Sequence, residues 1–170
     1  MDSVRSPSRD EQLTVLGLAL LWVYLRRNEH FARFRNVVML ANVLGLAGYV
    51  LAPTAPPRMF PQEGFTDTIM DFSSVNHDSA LAKIFINPYA AVPSMHCAFA
   101  LMIGGTGFMV CRRWWSKAWW ACWPVLIAWV VIVTGNHYWV DWILGWMVAA
   151  AAALIASRVL ARARPEVWAF

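Results

Sequence analysis

Two histidines, an aspartate and an arginine carry most of the chemistry this sequence can offer. His137 and Asp141 are four residues apart in Gly135-Asn136-His137-Tyr138-Trp139-Val140-Asp141, so at the start of a helix they share one face. A carboxylate there can accept the Nδ1–H of the imidazole and leave Nε2 as a base or nucleophile. The other reading is a polar pair that pins two helices together, although an ionisable pair is costly among Trp and Val. Pro93-Ser94-Met95-His96 opens an apolar run. Ser94 fits the N-cap, and the unpaired N–H groups that follow would bind an anion. His96 falls in the first turn, where an interfacial histidine on a capped helix is the alternative. Arg58 follows Pro56 and Pro57. A guanidinium there suits two-point contact with a phosphate, or with lipid headgroups. Asn136, beside His137, joins Arg58 and Ser94 as a phosphate-binding candidate. Together two histidines, a helper carboxylate, an arginine and a helix N-terminus suit phosphoryl transfer by a histidine nucleophile.

The elements that must position them are apolar. The chain has 170 residues, 59% hydrophobic and 14% charged, against about 25% charged in soluble domains. The 11 tryptophans suit a membrane–water boundary. The apolar runs lie at 13–25, 37–52, 94–110, 118–134 and 138–160, so the expected fold is all-α, a polytopic bundle of about five spanning helices. The first run covers only about 20 Å, so it spans only if polar N-terminal residues extend the helix and Arg26 and Arg27 snorkel. Residues 1–12 read as a polar tail and 13–164 as one membrane domain. Its longest connection, 53–93, has no run long enough to cross.

Arginines set the orientation. Arg26, Arg27, Arg33 and Arg35 lie between the first two runs. Arg112, Arg113 and Lys117 lie between the third and fourth, and Arg158, Arg162 and Arg164 end the fifth. Alternation puts all of them on one side, the cytoplasm by the positive-inside rule. The 53–93 segment and the 134–138 turn then share the extracytoplasmic side, with every residue proposed above. A multi-pass protein of the cell membrane is expected.

Other residues offer less. Cys97, Cys111 and Cys122 form no C-x-x-C pair, and no His and carboxylate cluster has metal spacing. No metal or other cofactor is expected, and no basic-aromatic stripe suggests nucleic acid. Asp67 and Asp71 could bind a polyol headgroup or be solvated loop acids. His77 reads as solvated and His30 as interfacial. Gly104, Gly105 and Gly107 suit helix packing better than a phosphate loop.

The chain resembles the type 2 phosphatidic acid phosphatase superfamily, and is similar there to the branch containing inositol phosphorylceramide synthases. Asn87-Pro88-Tyr89-Ala90-Ala91-Val92-Pro93-Ser94-Met95-His96 resembles that branch's second motif and 135–141 its third. Pro53-Thr54-Ala55-Pro56-Pro57-Arg58 resembles the stretch holding its early arginine. The resemblance implies a phosphohistidine-type intermediate on His137, oriented by Asp141. It implies His96 as acid for the leaving oxygen and then base for the acceptor. The chain departs from the phosphatase branch at Leu51, where that branch has lysine. It also departs at Met95, where the branch has glycine, and at Val130 and Val131, where it has Ser-Arg. Fewer cations around the phosphate favour a lipid phosphodiester or headgroup transfer over a generic monoesterase. The superfamily usually shows six spans.

The expectation is therefore a lipid phosphatase or phosphotransferase whose partners are the bilayer and a lipid phosphate; a homo-oligomer is compatible with the sequence. The alternative is an inactive membrane protein keeping the fold for lipid binding or assembly, against which the intact His96, His137 and Asp141 argue. A vanadate haloperoxidase is excluded, because those are soluble. Cysteines placed at Gly64 and Arg113 test the orientation. An impermeant thiol reagent applied to intact cells should label Gly64→Cys and spare Arg113→Cys, and the reverse pattern would invert the topology.

Overall fold

The computed structural model describes residues 9–60, 62, 64 and 91–165. Asp67, Asp71 and His77 lie outside the described residues. The fold is an all-α membrane helix bundle. Its helices are α1 (Arg9–Arg26), α2 (Asn28–Leu51), α3 (Met95–Val110), α4 (Trp114–Val133) and α5 (Trp139–Ile155). A π-helical turn, Ala156–Leu160, and a last turn, Ala161–Ala163, prolong α5. Among the described residues there is no β-strand.

Three stretches, Asn28–Leu51, Trp114–Val133 and Trp139–Ala163, are long and apolar enough to cross a bilayer. The other two helices are shorter. With 18 and 16 residues, α1 and α3 reach about 27 and 24 Å, against a hydrocarbon core of about 30 Å. Helix ends also differ from the apolar runs. α1 begins at Arg9, so part of the polar tail is helical, and α2 begins at Asn28 rather than near Val37. Hydropathy marks the stretch that lipid can cover. The backbone stays helical further, because Arg, Phe and Ala between 28 and 36 include no Gly or Pro to stop it.

α3 is the buried centre. Cys97, Ala98, Phe99, Ala100, Met102, Ile103 and Val110 are all shielded from the surface. It packs against α2, α4 and α5 and touches α1. The outward rows of the other helices carry Leu18, Met39, Val43, Leu46, Trp129, Val133, Met147 and Leu154, all exposed. In water such surface would aggregate; in a bilayer it faces lipid.

Glycines set the closest approaches. A Cβ on Gly104 would stand 2.6 Å from the Trp120 carbonyl and 3.0 Å from Pro124 Cδ. Pro124, inside α4, has no N–H for the carbonyl four residues back, and that carbonyl is Trp120's. Gly104 thus leaves room for a carbonyl that α4 does not use. Gly107 lies against the Trp120 indole in the same seam. At the other end of α3, a Cβ on Gly145 of α5 would run into the carbonyl oxygen of Ser94.

Connections fall at two ends. The Ser94 N–H donates to Asp141 O at 3.0 Å, the Arg58 N–H to Gly135 O at 2.9 Å and the Ala91 N–H to Thr54 O at 3.2 Å. Residues 54–58, 91–96 and 134–141 therefore meet at one end. At the opposite end His30 and Arg33 of α2 stand beside Met109 of α3 and Ala153 of α5, among the arginine-rich connections.

Gly145→Ala should cost about 1–3 kcal/mol, the scale of overpacking against an unyielding neighbour, because that neighbour is backbone. Gly17→Ala should cost nothing, since a Cβ there meets no atom within 4 Å. Thermal unfolding in detergent compares them, and equal melting temperatures would refute the Gly145 contact.

Candidate active site

Each side chain of the site is held by a helix end. α4 stops at Thr134, and Gly135 takes φ 66° with its N–H on Ile132 O at 3.0 Å. That left-handed conformation after a helix is natural to glycine. The N–H groups of Asn136 and His137 then both donate to Val131 O, at 3.0 and 3.1 Å. The main chain alone thus turns His137 back over the end of α4. Tyr138 caps α5, and its N–H donates to Asp141 Oδ2 at 2.9 Å. A carboxylate in the first turn of a helix is favoured by the helix dipole.

Ser94 caps α3. It is fully buried, and its Oγ accepts the Cys97 N–H at 3.4 Å. With the ties already described, Ser94 joins the starts of α3 and α5. His96 follows one residue into α3, half-buried, on the side facing His137.

The imidazole of His137 is 6% exposed and Asp141 2%. His137 Nδ1 lies 2.9 Å from Ala91 O and 3.3 Å from Asp141 Oδ2. A carbonyl oxygen can only accept, so Nδ1 carries the proton and donates to it. In neutral His137 Nε2 then has a lone pair. His96 Nδ1 lies 3.3 Å from that Nε2, with the rings edge to face. Since Nε2 accepts, His96 is the donor and carries a proton on Nδ1. The cluster is thus an ordered chain of carboxylate, imidazole with a bare Nε2, and proton-bearing imidazole.

Of the residues read from the sequence, the structure brings His96, His137 and Asp141 into direct contact. Arg58 is half-buried in a 3-10 turn, Pro57–Met59, whose N–H is tied to Gly135. Its backbone therefore sits at the turn that presents His137. Asn136 is buried at 6% exposure, and its Nδ2 donates to Thr134 Oγ1 at 2.8 Å. The Thr134 hydroxyl donates to Val130 O at 2.8 Å, so the amide orientation is fixed. The Ala91 and Val131 carbonyls are parts of the site that residue types did not flag.

A membrane bundle that presents a buried carboxylate and two facing histidines at one end defines a class of helical membrane proteins with a histidine-based site. The chain belongs to the PAP2 superfamily, whose family profile matches residues 12–155. It is also similar to a phosphoinositol dihydroceramide synthase of Bacteroides thetaiotaomicron, with 27% identity over 143 residues, covering 77% of this chain and 46% of that protein. The chain thus spans less than half the length of that curated relative. No solved structure matches it.

Because the Ala91 carbonyl holds the Nδ1 proton independently of Asp141, Asp141→Asn should leave the His137 tautomer unchanged. Nitrogen-15 NMR of histidine-labelled protein in micelles should show Nδ1 protonated and Nε2 bare in both forms. A switch to Nε2–H in the variant would make Asp141, and not Ala91, the residue that sets the tautomer.

Proposed function

We propose that the chain is a membrane phosphatase or phosphotransferase acting on a lipid-linked phosphate, with a covalent phosphohistidine on His137. The observation that carries this reading is the ordered contact of Asp141, His137 and His96, with the bare Nε2 of one imidazole facing the Nδ1–H of the other at 3.3 Å. Family membership supports the same class.

In the first step His137 Nε2 attacks phosphorus while the bond to the leaving oxygen breaks, and that oxygen takes a proton from His96. In the second step an acceptor O–H gives its proton to His96. The acceptor oxygen bonds phosphorus, and the phosphorus–nitrogen bond breaks. Both histidines return to their starting state, and water and an alcohol serve equally as acceptor without any change in proton count. Asp141 offsets the charge that develops on His137. A phosphorus bonded to Nε2 needs the space that His96 Nδ1 now fills, so phosphate entry moves the His96 ring aside.

Charge on the transferring group is offset by Arg58, by protonated His96, and by N–H groups at the α3 start, with Ser94 and Asn136 as further phosphate contacts. On this reading these groups do the work that a metal does in other phosphoryl transfers. The relative named for phosphoinositol dihydroceramide supports headgroup transfer to a hydroxyl, with Asp67 and Asp71 as candidate headgroup contacts. The charge asymmetry supports a site on the extracytoplasmic face.

His137→Ala should lower turnover of purified, correctly inserted protein below a tenth of the wild-type value. Activity should survive EDTA and be inhibited by vanadate, whose trigonal-bipyramidal form copies an in-line transition state. Activity lost to EDTA and restored by magnesium or manganese would overturn the metal-free mechanism. Headgroup analysis of membranes supplied with labelled inositol, with active and His137→Ala protein, tests the transfer. Equal labelled lipid in both would remove inositol from the reading.

A further inference from the structure

Gly105 is the one glycine of the α3 group that no neighbour explains. Gly104 and Gly107 face α4, where a Cβ would collide, whereas a Cβ on Gly105 meets nothing within 4 Å. A helix interior has little use for glycine, which is its poorest former after proline. What lies over Gly105 is a groove between α2, α3 and α5, with a cavity of about 220 Å³. Ala149, Ala150 and Ala153 of α5 form its opposite wall, and Leu101 and Met109 of α3 flank it. At its mouth stand Arg33, which is exposed, and His30, which is half-buried.

We propose that this groove binds an anionic phospholipid of the leaflet at the arginine-rich end. An acyl chain lies along Gly105, Ala150 and Ala153, and the phosphate sits at Arg33 and His30. The place fits, because the groove lies within the membrane-spanning part of α3 and α5. The charge is complementary too. The connections at that end hold ten Lys and Arg residues, with Glu29, 3.9 Å from His30, as the carboxylate among the described residues there. Arg33 and His30 together supply the positive charge at the mouth. Basic pockets between spanning helices on the cytoplasmic side take acidic lipid headgroups in just this way. The groove is at the opposite end of the bundle from His137, so its occupant is a resident lipid and not the substrate of the proposed reaction.

Native mass spectrometry of purified protein in mixed micelles tests this, with phosphatidylglycerol and phosphatidylcholine of identical chains offered in competition. Wild type should retain phosphatidylglycerol about fivefold over phosphatidylcholine, the scale of one basic side chain near a lipid surface. Arg33→Gln should remove that preference. Gly105→Leu, which fills the groove where no protein atom stands, should reduce retention of both lipids. Gly105→Ala keeps the test open if leucine perturbs folding, and should weaken retention to a smaller degree. Three results would each overturn the proposal: equal retention of the two lipids by wild type, unchanged retention in both Gly105 variants, or a protein dimer that replaces bound lipid and is lost in Gly105→Leu.

Discussion

The hydrogen bond from His137 Nδ1 to the Ala91 carbonyl, 2.9 Å long, links the two halves of the site. Ala91 belongs to the segment entering α3, and His137 to the turn between α4 and α5. Their contact fixes the proton on Nδ1, and so fixes which nitrogen of His137 can accept. It also sets the distance between the start of α3 and the end of α4, so that His96 reaches His137. Asp141 adds its carboxylate to an orientation that the main chain has already chosen.

Everything else at that end keeps this contact in place. Gly145 lets α5 touch the carbonyl of Ser94. Ser94 caps α3 with its hydroxyl and gives its N–H to Asp141 O. Gly135 reverses the chain so that Val131 O can take the N–H groups of both Asn136 and His137. The proline-rich entry at 53–57 delivers Arg58 to the same turn through its N–H on Gly135 O. Helix packing and site geometry are therefore one set of contacts at this end of the bundle.

Much of this was legible because it depends on side-chain type and spacing. Ser94 before His96 implied a capped helix start, which is seen. The four-residue interval from His137 to Asp141 implied a shared helix face. The two do touch, but His137 lies in the turn before the Tyr138 cap and not on α5. The all-α membrane bundle followed from apolar runs. What spacing could not carry is main-chain chemistry. The carbonyls of Ala91 and Val131 do essential positioning, yet any residue type offers a carbonyl. The start of α2 was also hidden, because Arg33 and Arg35 interrupt hydropathy without interrupting the helix. The glycines of α3 read as a packing stripe, but only Gly104 and Gly107 touch α4, while Gly105 opens a groove.

The ties that assemble the site run from backbone to backbone: Ser94 to Asp141, Arg58 to Gly135, Ala91 to Thr54 and His137 to Val131. None of them uses an imidazole. These four ties do not depend on what the two histidines carry. On the proposed reading, a His137→Ala chain loses the contact with Ala91 O but keeps these backbone ties around the place where its substrate would sit. It could be used as a silent receptor, holding an unreacted lipid long enough for that lipid to be identified.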